Sequence, residues 1–159
     1  MNEFSTGSGH EGEPRSGKIG FRVTVTSYVS ILPFVGLAAW IWTHNPTGAA
    51  NHVLAIYAAL MFVYTGAVQW GWAIADHPGL RIYLWSMLAL VVGWILASLP
   101  WYDISLPLLA IATAGFWYLE RRWFSQNTPG WYRAVRAQTA ILAALALVTA
   151  WIAVLIHHF

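Results

Sequence analysis

The sequence predicts an all-α membrane protein, a bundle of five transmembrane helices with the N-terminus cytoplasmic and the C-terminus outside. Three observations predict it. The 159 residues are 58% hydrophobic and only 9% charged, where soluble domains average about 25% charged residues. Five long apolar runs are separated by clusters of turn-forming and charged residues, the pattern of helices that cross hydrocarbon. All eight Lys and Arg (15, 18, 22, 81, 121, 122, 133 and 136) fall in the N-terminal tail, the second-to-third loop or the fourth-to-fifth loop. That alternation is what the positive-inside rule requires of five spans with a cytoplasmic start. It also accounts for the pI near 9.2 without a nucleic-acid partner. The absence of cysteine excludes disulfides, a thiolate nucleophile, Cys-based zinc sites and iron–sulfur clusters.

Residues 1–20 hold Ser5-Thr6-Gly7-Ser8-Gly9, three Glu and Pro14, too polar to build a core, and read as a disordered cytoplasmic tail. The five-helix domain occupies residues 21–159. Arg15, Lys18 and Arg22 precede a long apolar run that lacks a small-residue cleavage site, so the run is expected to be an uncleaved first span, about 23–42, rather than a signal peptide. Pro33 removes a backbone donor near its middle and predicts a kink beside Ser30 that must be packed against protein. Thr43 to Gly48 is a turn cluster, and the second span follows at about 53–74. On that helix Phe62, Thr65, Gly66, Gln69, Ala73 and Asp76 are spaced by three and four, so small and polar residues share a face that wants a protein neighbour.

Asp76-His77-Pro78-Gly79 stops the second helix. The third span, about 82–99, offers Ser86 and Gly93 for close packing. Pro100-Trp101-Tyr102-Asp103 is an interfacial turn. The fourth span, about 104–119, is short, with Pro107 placed in its first turn and Glu120-Arg121-Arg122 as its stop. After the polar loop 124–130, Trp131 to Arg136 alternates aromatic and basic residues as a headgroup-level segment does. The fifth span, about 137–156, carries Thr139, Ala143, Ala146, Ala150 and Ala153 at helical spacing, a small-residue stripe expected inside the bundle.

These residues argue against most chemistry. No Asp, Glu, His, Lys or Arg occupies the central part of a span, which counts against ion-coupled transport. Every histidine (10, 44, 52, 77, 157, 158) lies in a tail, loop or helix end, which disfavours haem held between helices. His44, His52, His157 and His158 share the outer side, but their spacing matches no metal-ligand motif. No Ser-His-Asp, paired-carboxylate or phosphate-loop pattern appears, so no catalytic residue, metal or cofactor is expected. Two places remain. Gln69, about five residues or ~7 Å from the inner end of its helix, forms with Thr65, Gly66, Trp70 and Trp94 a packing face or a polar contact for a hydrophobic ligand. Asp76, Arg81, Glu120 and Arg136 form a polar network at the inner boundary, suited to anchoring, to ion pairing or to a lipid headgroup.

Leu32-Pro33-Phe34, Gly66-Ala67-Val68-Gln69-Trp70-Gly71, Trp85-Ser86 with Gly93-Trp94, and Pro129-Gly130-Trp131-Tyr132-Arg133-Ala134-Val135-Arg136 resemble, in order and spacing, the domain-of-unknown-function 3429 family, which is similar to the mitochondrial transmembrane protein 69. The likeness spans most of residues 28–155. It implies a multi-pass bundle in the inner membrane of bacteria or mitochondria and supplies no activity. The tryptophan-rich sensory protein family is similar in size, span number and Trp content, but its Trp-x-Pro-Pro motif is missing here.

The leading expectation is a non-enzymatic inner-membrane protein that serves as an accessory or assembly component. Its partners would be the lipid bilayer with other membrane proteins or a second copy of itself. The alternative is a binder or sensor of a hydrophobic small molecule (tetrapyrrole, quinone or lipid), by analogy with the tryptophan-rich sensory proteins.

Overall fold

Proline and glycine punctuate the chain into helices, and the computed structural model of the protein describes residues 14–44, 48–76, 80–123 and 130–158. Helix α1, Pro14–Val29, and helix α2, Leu32–Thr43, are the two halves of the first apolar run. Pro33 lies in the first turn of α2, where its missing N–H is tolerated. The broken turn is sealed by protein, as expected. The Tyr57 hydroxyl donates to the Ser30 carbonyl at 2.7 Å, and the Tyr57 ring meets Phe34 edge-on at 5.1 Å between centroids. Helix α1 starts ahead of the first apolar run, so residues 14–20, expected in the tail, are helical. Residues 1–13 lie outside the described set, as do the turn residues 45–47 and 77–79 and the loop 124–129.

Helix α3, Gly48–Asp76, carries Gln69; helix α4, Leu80–Ser98, follows; helix α5 is Tyr102–Trp123 and helix α6 is Gly130–His158. Two expectations are corrected. Pro107 sits inside α5 rather than in its first turn, because the Trp101 carbonyl already accepts the N–H groups of Ile104 at 3.2 Å and Ser105 at 2.9 Å, which starts the helix earlier. The helix of the fifth span begins before Ala137: Trp131 to Arg136, expected as a headgroup-level segment ahead of it, form the opening turns of α6. Nothing between Gly130 and Ala137 breaks a helix, so the fifth apolar run extends toward its N-terminus.

Helices α2, α3, α5 and α6 form a ring in which α2 and α5 each pack on both α3 and α6, while α4 lies outside it, tightly on α3 and only lightly on α5. The core is built from Phe34 and Ile41 of α2, Leu54 and Ala58 of α3, Leu106 and Leu109 of α5, and Leu147, Ala150 and Ala153 of α6. The small-residue stripe therefore faces inward as its spacing requires: Ala143, Ala146, Ala150 and Ala153 are buried and Thr139 is partly buried. Phe62, Phe116 and Ala89 make a second cluster nearer the arginine-rich end.

Four stretches are long and apolar enough to cross a membrane: Gly20–Thr43, Gly48–Gly71, Leu80–Ser98 and Gly130–His157. Together they make this a multi-pass membrane protein. Helix α5 is not one of the four, since Asp103 and Glu120 bracket its apolar run. Asp103 in the first turn and Arg121 and Arg122 in the last nevertheless suit the helix dipole.

Candidate functional site

The polar residues of three helices converge where α3, α5 and α6 meet at the arginine-rich end. On α5, Trp117, Glu120 and Arg121 are spaced by three and four. On α6, Tyr132, Arg133 and Arg136 repeat that spacing, so each trio lines one helix face. Gln69 of α3 completes the group. Its Nε2 donates to Glu120 Oε1 at 2.6 Å, and Arg136 Nη2 donates to Glu120 Oε2 at 3.2 Å. Each carboxylate oxygen thus belongs to a different neighbouring helix.

The chemistry explains why these residue types meet. Gln69 and Glu120 are each only 8% exposed, and a buried carboxylate is tolerated when a cation and hydrogen bonds compensate its lost hydration. Arg136 supplies the charge and the Gln69 amide supplies a neutral donor. The result is a clasp joining three helices through the two oxygens of one carboxylate.

A cavity of about 330 Å³ opens beside the clasp, lined by Gln69, Trp117, Glu120, Arg121, Tyr132, Arg133 and Arg136 among others. Glu120 neutralises Arg136, whereas Arg133 has no acidic partner among the described residues. Arg121 adds a second exposed guanidinium, with its Cζ 5.9 Å from the centre of the Trp117 ring. The cavity is therefore walled by aromatic surface and by guanidinium groups, which suit flat or phosphate-like anions.

Of the residues singled out in the sequence, the structure joins Gln69, Glu120 and Arg136. The remaining positions go elsewhere. Gly66 is turned to α4, where the Ser86 hydroxyl donates to its carbonyl at 2.6 Å. Thr65 donates to the Phe62 carbonyl at 2.7 Å and lines a smaller cavity of about 50 Å³ that also reaches Arg136. Trp70 is half-exposed against the edge of Tyr83. Trp94 is 70% exposed, because the neighbouring Gly93 takes the contact with α3, so Trp94 is no part of a pocket with Gln69. Arg81 is exposed at the start of α4 and lies outside the Glu120 pair. The Asp76 side chain falls outside the described set.

Trp117, Arg121, Tyr132 and Arg133 were not anticipated as site residues. Their signal is the helical spacing on either side of the α5–α6 loop: Glu120 and Arg121 follow Trp117 by three and four, and Tyr132 and Arg133 precede Arg136 by four and three. At the opposite end, His44 stacks on Trp40 and His157 Nδ1 lies 2.8 Å from the Ala153 carbonyl. Among the described residues, no three His, Asp or Glu side chains come together as a metal site would require.

No curated protein and no solved structure is significantly similar to the chain. The sequence profile described as "Protein of unknown function (DUF3429)" matches residues 21–152, which contain α2, α3 and α5, most of α6 and all the residues of the clasp. The chain belongs to the DUF3429 family.

Proposed function

We propose that the protein is a non-catalytic binder of an amphiphilic small molecule, taken up at the inner face of the cell's inner membrane. The carrying observation is the cavity of about 330 Å³ bordered by the Gln69–Glu120–Arg136 clasp. Its volume is at the lower end of the range for small-molecule pockets, about 300–1,000 Å³. Aromatic rings and fixed charges on one wall fit a ligand that is apolar in part and polar at one end. Five spans with a cytoplasmic N-terminus belong to this reading, supported by the segregation of all Lys and Arg to alternate connections. A C-terminal reporter that is active only outside the cytoplasm is the expected result for that topology.

Purification in gentle detergent followed by native mass spectrometry tests the binding role. The expected spectrum shows a bound amphiphile that Trp117→Ala removes while the protein keeps its helical circular dichroism. A protein that is ligand-free under all gentle conditions would refute it.

One observation favours the accessory role as a second reading. Helix α4 lies outside the ring and turns Leu84, Leu88, Val91 and Ile95 outward together with Trp94, a face available to another membrane protein or a second copy. Because the chain has no cysteine, single cysteines placed along that face give clean disulfide mapping. Crosslinks restricted to it support association, and their absence in native membranes removes this reading.

A further inference from the structure

We propose that the occupant is an inner-leaflet phospholipid with a net-negative head, its phosphate beside Arg133 and Arg121 and one acyl chain along the α5–α6 seam. The inference rests on the binding role above and names the ligand's chemistry.

The seam carries a second cavity, also of about 330 Å³, with no polar surface in its lining. Ala110 and Ala114 of α5 and Ala140 and Ala144 of α6 leave the concavity, and the exposed Ile111 and Leu145 stand beside it. Trp117 lines both this groove and the charged cavity, so the two adjoin at one indole ring. An amphipathic ring is suited to that boundary between head and chain.

Length and charge choose the occupant. Along α6 the lining runs from Ala137 in the charged cavity to Val148 in the groove, about 16 Å of helix. That is about half of a ~30 Å hydrocarbon core, the depth of one leaflet. A soluble phosphate compound would leave the groove empty, and a fully apolar molecule would leave Arg133 without a counter-charge. Glu120, the acidic residue of the described lining, is buried and already bonded to Gln69 and Arg136, so the cavity presents exposed guanidinium groups to a phosphate and no exposed carboxylate to an ammonium. This selects a net-anionic head over a zwitterionic one. The first turn of the long helix α6 reaches the same cavity at Gly130, and its backbone N–H groups add to the attraction for phosphate.

The test is competition between phosphatidylglycerol and phosphatidylcholine of identical chains, mixed with the purified full-length protein and read by native mass spectrometry. The wild type is expected to retain phosphatidylglycerol about fivefold or more over phosphatidylcholine, the scale of one basic residue acting on an anionic lipid. Arg133→Gln is expected to erase that preference. Ala144→Phe, which fills the groove, is expected to reduce retention of both lipids equally. Inorganic phosphate at millimolar concentration is expected to leave retention unchanged. Circular dichroism and monodispersity verify folding of each variant, and Arg133→Lys, which keeps the charge but not the planar fork, should retain part of the preference. Equal retention of both lipids, with no change in Arg133→Gln, overturns the proposal while leaving the broader binding role intact if Trp117→Ala still releases them. Displacement by inorganic phosphate overturns it in favour of a soluble anion. No retained molecule of any kind overturns both readings.

Discussion

The α3–α4 seam and the α5–α6 seam are both lined with small residues, yet one is closed and the other is open. At α3–α4, a Cβ on Gly66 would lie 2.6 Å from Ala89 Cβ, and one on Gly93 would lie 2.5 Å from Val63 Cγ2. The two glycines therefore hold the helices in mutual contact, and the Ser86 hydroxyl bonds the facing backbone. At α5–α6, alanines replace the glycines and a groove of about 330 Å³ remains. Small residues create space; whether a neighbouring backbone fills it decides between glue and pocket. In a membrane the first outcome gains dispersion contacts directly. The second leaves a concavity for lipid.

Substitutions to the same residue, valine, should separate the two seams. The largest effect is expected for Gly66→Val, which must push α4 away and should cost about 3 kcal/mol by overpacking, seen as a lower thermal midpoint in detergent. Ala114→Val adds bulk to the open seam. If both lower the midpoint equally, the contrast between the seams is wrong.

Next comes the clasp that borders the open seam. Glu120→Leu removes the carboxylate on which Gln69 and Arg136 converge, and because Arg136 keeps some access to solvent, the expected loss is about 2 kcal/mol, below that of a fully buried pair. A double-mutant cycle with Arg136→Leu should recover part of it. Additive losses would mean that the pair is not coupled.

Gln69→Leu should cost less, about 0.6 kcal/mol on average for a hydrogen bond between membrane helices. It frees one Glu120 oxygen inside the cavity, so ligand retention should change more than the thermal midpoint. A midpoint change with unchanged retention would assign Gln69 to packing alone. The smallest effect is expected for Ala114→Val, within about 0.5 kcal/mol, with a measurable fall in lipid retention.

The sequence made the helices legible because turn residues and charges interrupt its apolar runs, and it made the inward stripe of α6 legible because spacing alone sets a helix face. The need of Gln69 for a protein neighbour was legible in the same way. Its partner was not, since Glu120 lies 51 positions away and the meeting depends on how α3 and α5 cross. Trp94 illustrates the sharper difficulty. Gly93 and Trp94 are adjacent, and about 100° of helical rotation separates burial against α3 from exposure. The charged cavity is not legible in the sequence because its two walls read, one helix at a time, as a stop signal on α5 and an interfacial segment before the fifth span.

The most direct measurement is photolabelling with a phosphatidylglycerol analogue carrying a photoreactive acyl chain, used at low density in vesicles and mapped by peptide mass spectrometry. Label is expected to concentrate on residues 110–117 of α5 and 140–148 of α6, and to fall about fivefold at both in Arg133→Gln. Label spread evenly over all outward faces, with the Leu84 and Leu88 face of α4 marked as strongly as the α5–α6 groove, would contradict the lipid site.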